Sequence, residues 1–212
     1  NMYRIGDHLI AHYLFEDDQL VTDETGTHRL TNSGVSEITD RFGNQNSAAH
    51  FDGDSDYMKA DNHADFNGDS LTISAWVKIN KSFSGNGTNV IVHKPYTSHS
   101  GEYYQWGLYV EGDEYHTHDD KFTFGISEGL SNGAGITLEP DEVVGHWLHL
   151  TGVLDETAGE ARFYLNGQLV ARNETDITID QFDTNVFFGK QGNLDRSIDH
   201  TPMDLDDVRI YN

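Results

Sequence analysis

Carboxylates stand at points of the sequence where the chain is expected to turn. Glu16 and Asp18 follow the first apolar segment, Asp23 comes shortly after them, and Asp207 lies close to residue 212. Calcium binds roughly six to eight oxygen atoms from carboxylates, amide side chains and backbone carbonyls. Carboxylates brought together repel one another, and a cation removes that cost. These acids are therefore candidate calcium ligands, and solvated acidic turns are the alternative in a chain that has 36 Asp and Glu residues.

Three polar segments, 93–104, 111–120 and 190–202, carry residue types that bind sugars. Aromatic rings stack on the C–H faces of a sugar, and tyrosine adds a hydroxyl group for hydrogen bonding. Planar polar groups grip hydroxyls or a carboxylate, and long polar loops on a rigid scaffold are a common place for recognition. In or beside these segments, the candidate ligand-binding residues are Tyr96, Tyr103, Tyr104, Trp106, Tyr115, His116, His118, Asn193, Asp195 and Arg196.

Structural roles are the alternatives for these residues. Loop tyrosines also fill the bases of loops, and polar loop residues are commonly solvated. Asp119 and Asp120 are candidate calcium ligands, and a calcium ion there would contact vicinal sugar hydroxyls directly. His116 and His118 could instead bind a transition metal, but a His-x-His pair lacks a third ligand at a defined spacing, so an exposed polar loop is favoured.

Catalytic patterns find little support in the sequence. A glycosidase needs two carboxylates separated by roughly 5 Å or roughly 6.5–9.5 Å, whereas the acids here gather in predicted turns. The loop glycines of Gly85-Asn-Gly87 and Gly133-Ala-Gly135 precede no helix, which does not fit a phosphate-binding loop. We therefore expect a protein that is not an enzyme.

The elements that would position these residues are β-strands. Alternating apolar and polar segments, rich in β-branched and aromatic residues, predict strands. They cover residues 8–15, 71–79, 90–93, 105–110, 121–126, 146–154, 161–165, 168–172, 185–189 and 206–211. Asn166-Gly167 between two of them predicts a tight hairpin, because both residues accept positive φ. Strands without intervening helices predict an all-β, antiparallel two-sheet sandwich. We expect a single domain over residues 1–212, as a piece of a larger multidomain protein.

Composition excludes several classes of partner. The net charge is −23, which repels the phosphates of nucleic acid and disfavours anionic membrane surfaces. No apolar run approaches the ~20 residues that span a bilayer, so membrane insertion is not expected. The absence of cysteine excludes disulfides and thiolate chemistry.

An ordered set of motifs covers nearly the whole chain and resembles the laminin G-like branch of the concanavalin A-like jelly rolls. The motifs are Ala11-His-Tyr-Leu-Phe-Glu16, Asp23-Glu-Thr-Gly26, Asp40-Arg-Phe-Gly-Asn44, Ala49-His-Phe-Asp-Gly53, Leu71-Thr-Ile-Ser-Ala-Trp-Val77, Trp147-Leu-His-Leu-Thr-Gly-Val-Leu-Asp155, Phe163-Tyr-Leu-Asn-Gly167 and Asp206-Asp-Val-Arg-Ile-Tyr-Asn212.

The resemblance implies two stacked antiparallel sheets, often with a calcium ion. It also implies that the first and last strands are neighbours, so that Glu16, Asp18, Asp23 and Asp207 converge. Trp76 and Trp147 stand at family positions inside strands and are expected in the core.

Members of this family include carbohydrate-binding modules of secreted glycosidases and modules of surface adhesins, and others bind proteins. We therefore expect a calcium-supported, lectin-like carbohydrate-binding module of a secreted protein or bacterial surface adhesin. Its location would be extracellular and its partner a glycan or cell-surface glycoconjugate. A protein- or peptide-binding adhesion module and a structural spacer domain are the alternatives.

Overall fold

The computed structural model describes residues 8–16, 19–81, 88–96, 104–112, 122–129, 132–174, 176–192 and 200–212. In Thr88, Tyr104 and Gly112 only the backbone is described. Within these ranges the chain forms two antiparallel sheets, which we call sheet I and sheet II. The predicted all-β sandwich is therefore confirmed.

Sheet I has β11 and β6 at its centre and the last strand, β15, beside β6. Across the sheet its strands are β13 (Gln168–Glu174), β12 (Glu160–Leu165), β11 (Trp147–Asp155), β6 (Ser70–Ile79), β15 (Met203–Tyr211), β4 (Ala48–Phe51) and β3 (Ser36–Ile38), with β1 (Leu9–Tyr13) also paired to β15.

Sheet II packs against sheet I across the core. Its strands, in order, are β10 (Asn132–Leu138), β9 (Phe122–Glu128), β8 (Tyr104–Gly112), β7 (Thr88–Pro95), β14 (Val186–Phe188), β5 (Tyr57–Ala60) and β2 (Leu30–Ser33). The described helices are short: a 3-10 helix at Ala64–Phe66 and α1 at Pro140–Val143.

The core forms because successive strand residues point to opposite faces of a sheet. Along β6 the odd-numbered residues from Leu71 to Ile79 are buried and the even-numbered residues are half-buried. The same alternation runs along β11, where Leu148, Leu150 and Leu154 enter the core. The predicted hairpin at Asn166-Gly167 is confirmed, since both residues have positive φ and join β12 to β13.

Strand β15 divides its pairing between two neighbours on one side. Residues 203–205 pair with β4 and residues 208–211 pair with β1, while β6 lies along the other side. The register with β6 shifts between Asp206 and Arg209, and Asp207 has a φ of 48°. This β-bulge adds one residue to β15, so that Asp207 approaches Arg41 together with Asp206, which precedes it. The neighbouring positions of the first and last strands, which the resemblance implied, are confirmed.

Candidate functional site

The outer face of sheet I carries polar and aromatic side chains that lie side by side. Trp76 in β6 stands opposite His149 of β11 on one side and Asp206 of β15 on the other. Lys78 likewise stands between Trp147 and Asp204. All of these residues occupy the strand positions that alternate with the core residues, so their side chains point away from sheet II.

The tryptophans are placed differently from the sequence expectation. Trp76 and Trp147 were expected in the core, but both are half-buried on the outer face of sheet I. Trp106, a predicted ligand-binding residue, has no exposed surface, and its indole N–H donates to the Phe66 carbonyl at 3.1 Å. Trp76 lies on the outer face because the odd-numbered residues of β6, such as Leu71 and Ile73, point into the core and the even-numbered ones point away from it.

Four side chains form a row that crosses this face, which we call the Arg41 row: Phe42, Arg41, Trp76 and His149. The Arg41 guanidinium carbon lies 4.4 Å from the centre of the Phe42 ring and 5.0 Å from that of Trp76. The Trp76 and His149 rings are 5.0 Å apart, and His149 Nε2 lies 2.9 Å from Ser74 Oγ. Phe42 is 74% exposed, so one end of the row is open to solvent.

Two carboxylates hold the Arg41 guanidinium in place. Asp206 is buried and accepts a hydrogen bond from Arg41 Nη1, while Asp207 Oδ2 lies 3.7 Å from Nη2. Burial raises the pKa of Asp206 to about 6, although the Arg41 charge opposes that rise. Asp207 is also contacted by His12 Nε2 at 2.8 Å and Arg209 Nη2 at 3.0 Å.

The environment of Asp207 lowers its pKa, because the His12 hydrogen bond and the nearby arginines outweigh the effect of burial. Burial lowers the pKa of His149, which favours a neutral imidazole beside Trp76. The row therefore presents an arginine fixed between two rings, with its countercharge below the surface.

A second buried carboxylate lies further along β15. Asp204 is 1% exposed and contacts Lys78 Nζ at 2.5 Å, His50 Nδ1 at 2.7 Å and Asn80 Nδ2 at 2.8 Å. The Lys78 ammonium lies 5.2 Å from the centre of the Trp147 ring. We expected the acids to lie in turns, but three aspartates, Asp204, Asp206 and Asp207, lie within β15. They bind the basic side chains on the outer face of sheet I.

The structure describes three members of the predicted calcium site, Glu16, Asp23 and Asp207. Asp23 accepts hydrogen bonds from the backbone N–H groups of His12, Thr25, Thr27 and His28 and from the Thr25 hydroxyl. Five donors therefore share the two oxygens of this carboxylate. Those bonds lower its pKa despite partial burial.

Asp23 and Asp207 both contact His12. Asp23 accepts a hydrogen bond from its backbone N–H, and Asp207 contacts its imidazole. The positive side chains beside Asp207 are those of Arg41 and Arg209. Glu16 is exposed. Asp18, Asp119 and Asp120 lie outside the described residues.

The predicted sugar-binding residues fall mainly on segments outside the described ranges. This holds for Tyr103, Tyr115, His116, His118, Asn193, Asp195 and Arg196, and only the backbone of Tyr104 is described, at the start of β8. Tyr96 contacts Phe182 edge-to-face, with 4.4 Å between the ring centres.

One sequence pattern associated with hydrolases occurs in β9. Gly125-Ile-Ser-Glu-Gly129 matches Gly-x-Ser-x-Gly, which makes a nucleophile elbow only where a strand turns sharply into a helix. Here Ser127 lies inside a strand that leads to another strand. It is 4% exposed and hydrogen-bonds to Tyr109. The pattern therefore does not form a nucleophile elbow.

Sequence comparison with known families agrees with this architecture. The model of the concanavalin A-like lectin/glucanases superfamily, a laminin G-like family, matches residues 52–212. The chain belongs to this superfamily. No curated protein sequence matches the domain. Among the helices of the described residues, none has the length and apolar character needed to cross a membrane.

Several solved structures share the fold of this superfamily domain at low sequence identity. Domain 4 of AbnA, an extracellular arabinanase from Geobacillus stearothermophilus, solved in complex with arabinotriose, has 16% identity and a TM-score of 0.65, over 97% of this chain and 92% of that one. The botulinum neurotoxin serotype D binding domain has 15% identity and a TM-score of 0.63, over 97% of this chain and 48% of that one. The binding domain of botulinum neurotoxin DC, in complex with SialylT, gives 15% and 0.64 with the same coverage. The chain spans about half the length of these toxin domains.

Proposed function

We propose that this domain binds carbohydrate through the outer face of sheet I and that it is not itself an enzyme. The observation that carries the proposal is the Arg41 row, in which an exposed Phe42 and a half-buried Trp76 flank one guanidinium. Aromatic rings offer faces for the C–H groups of a sugar, and arginine offers several N–H donors in one plane for its hydroxyls or carboxylate.

The row is ordered before a ligand arrives, which favours binding. Arg41 is held by Asp206 and by the two rings, so little side-chain entropy remains to be lost when a sugar contacts it. Ser74 and His149 add a hydroxyl and an imidazole next to Trp76. Polar groups that are few, fixed and set among aromatic rings are typical of small-molecule sites.

Similar structures support carbohydrate as the ligand class. One of them is a domain of an arabinanase bound to arabinotriose, separate from the rest of that enzyme, and another is a toxin binding domain bound to SialylT. Both examples are binding domains of larger proteins, and we propose that this domain is likewise a module of a secreted protein or of a bacterial surface adhesin. We accordingly propose an extracellular location, on the cell surface or secreted.

We also propose that a calcium ion supports carbohydrate binding, as predicted from the sequence. Its predicted ligands are Glu16, Asp18, Asp23 and Asp207 at the predicted strand ends and Asp119 and Asp120 in the rim segment. The rim segments that hold Tyr103, Tyr115 and Arg196 remain a second predicted contact region for the glycan.

The test is a glycan array probed with the wild-type chain and the Phe42→Ala variant. Leu169→Ala is the matched control, because Leu169 is a large apolar side chain that is 52% exposed and lies on β13, at the edge of the same sheet. We expect a set of related glycans to bind the wild type and the control, and to bind Phe42→Ala about tenfold more weakly.

The array is run once with millimolar calcium and once with chelator, so that the calcium proposal is tested separately. Binding that is equal in all three proteins would contradict the outer face of sheet I as the site and favour the rim segments. An empty array with folded protein would contradict the carbohydrate proposal. If the domain then binds a cell surface and added peptides compete with that binding, the protein-binding alternative would be favoured.

A further inference from the structure

We propose that His28, His63 and Asp65 form a binding site for a transition-metal ion, with Zn²⁺ as the expected occupant. The site is independent of the proposed carbohydrate face. His28 precedes β2 and His63 follows β5, which are paired strands of sheet II, and Asp65 lies in the 3-10 helix after β5.

The ligand atoms of the three side chains already face one another. His28 Nε2 lies 3.0 Å from Asp65 Oδ2, and His63 Nδ1 lies 3.1 Å from the same oxygen. All three atoms are within 4.8 Å of one another. Tetrahedral zinc with bonds of about 2.0–2.1 Å requires ligand atoms separated by roughly 3.3 Å, so small side-chain shifts would admit the ion.

The choice of residues favours zinc over calcium. Two of the three ligands are imidazoles, which suit zinc and other first-row transition metals, whereas calcium takes oxygen ligands. Three protein ligands leave a fourth position for water, as in sites that are open to solvent.

The surrounding contacts fix the buried ligand and leave the other two accessible. The His28 backbone N–H donates to Asp23 at 2.8 Å, its carbonyl accepts the Tyr13 hydroxyl at 2.7 Å, and its ring packs 4.5 Å from that of Phe66. The His28 side chain is 2% exposed, while those of His63 and Asp65 are 48% and 41% exposed. The ion would therefore enter from solvent and meet a preset imidazole.

The local backbone also keeps His63 and Asp65 together. His63 caps the 3-10 helix, and its Nδ1 accepts a long hydrogen bond, 3.3 Å, from the Asp65 backbone N–H. The Asp65 carbonyl accepts a hydrogen bond from the side chain of Asn212 at 3.4 Å. A metal at Nδ1 would replace the weak helix-capping bond, so little other structure has to change.

The experiment uses the full chain, freed of metal by chelation and dialysis. Zn²⁺ binding is measured by titration calorimetry, and Co²⁺ is used as a spectroscopic probe of tetrahedral coordination. We expect one site per chain, an intense Co²⁺ absorption in the visible range that Zn²⁺ displaces, and a higher thermal midpoint with Zn²⁺.

Three variants locate the site. His63→Ala and Asp65→Ala change partly exposed residues and are expected to fold, and each should weaken Zn²⁺ binding at least about tenfold. His146→Ala is the matched control, since His146 is exposed and lies outside the cluster, and it should bind like the wild type. His28→Ala is measured as well. Because His28 is buried, its Zn²⁺ affinity is compared only if the variant is folded.

The proposal is overturned if wild type shows no stoichiometric site, or if His63→Ala and Asp65→Ala bind Zn²⁺ as tightly as His146→Ala. Octahedral Co²⁺ spectra in the wild type would also overturn it, because they indicate oxygen ligands from the many surface acids. Glycan binding enters none of these readouts, so the two proposals succeed or fail separately.

Discussion

The guanidinium carbon of Arg41 lies 5.0 Å from the centre of the Trp76 ring, and the two residues come from different parts of the sheet. Arg41 follows β3 in a turn closed by Asp40, whereas Trp76 lies in the middle of β6. Asp206 on the strand between β6 and β4 fixes the contact. This relationship makes the outer face of sheet I testable by single substitutions.

Arg41→Lys should weaken glycan binding about tenfold while the fold is preserved. Lysine keeps the charge but loses the planar fork that lies between two rings and points at Asp206. The affinity for a glycan identified on the array is the measurement, with circular dichroism to check folding. Arg172→Lys is the control, because Arg172 lies on the outer strand β13. Equal affinities of the two variants would argue against a role of Arg41 in recognition.

We expect the titration of Asp206 to change glycan affinity and the free energy of unfolding in opposite directions. Its pKa is raised to about 6 by burial, above the unfolded value of about 3.9. As pH rises from about 4 to about 6, deprotonation favours the unfolded chain, so this group lowers the free energy of unfolding over that range. Over the same range the carboxylate gains the charge that orders Arg41, so glycan affinity should rise.

The measurement for Asp206 is glycan affinity and urea unfolding between pH 4.5 and pH 7.5 for wild type and Asp206→Asn. The variant should show a flatter profile for both quantities. Parallel profiles in the two proteins would show that another group titrates there.

His93 should make the protein less stable in acid. It is buried in β7 and its Nε2 accepts the Gly192 N–H at 2.8 Å, and burial lowers its pKa to about 3. Because the unfolded imidazole titrates near 6.5, the unfolded chain binds the extra proton between about pH 6.5 and pH 3. The stability that neutral His93 provides is therefore present above pH 6.5 and is lost as pH falls.

The test compares urea unfolding of wild type and His93→Gln, which keeps a polar acceptor for Gly192. Below about pH 6, the free energy of unfolding of wild type should fall relative to that of the variant by up to about 1.4 kcal/mol per pH unit. A difference that stays constant from pH 7 to pH 4 would mean that His93 becomes protonated within the folded protein.

Asp23→Ala should cost about 3 kcal/mol of unfolding free energy, because it leaves several backbone N–H groups without their acceptor. Denaturant unfolding is measured with calcium and with chelator, and Asp54→Ala, in an exposed turn, is the control. We expect the same loss in both conditions. A loss that appears only with calcium would show that Asp23 acts through a metal ion instead.

Strands in which apolar and polar residues alternate regularly could be predicted from the sequence, whereas the short strands could not. The prediction of residues 71–79 and 146–154 matches β6 and β11 closely, because apolar residues repeat there at every second position. Strands β2 to β5 and β10 were not predicted, since they are short or rich in Gly, Asn and Ser, and neighbouring strands supply their stability.

The sites were harder to predict than the strands. The phase of Leu71, Ile73 and Ala75 already places Trp76 on the outer face, so that signal was present in the sequence. His28 and Asp65 are 37 positions apart and meet only because β2 pairs with β5, a pairing that no local pattern specifies. The hydrogen bonds that occupy Asp23 depend equally on the folded turn around it.

The position of β15 has a consequence for synthesis in the cell. This strand forms hydrogen bonds with β6, β4 and β1, so the first strand has no partner in sheet I until residues 203–211 have left the ribosome. A nascent chain in which residues 203–211 have not yet emerged would hold apolar residues of β1, β4 and β6 without the strand that joins them. Sheet I of this domain is therefore expected to close only after β15 has emerged, and ribosome-bound chains that end before residue 203 should remain sensitive to protease.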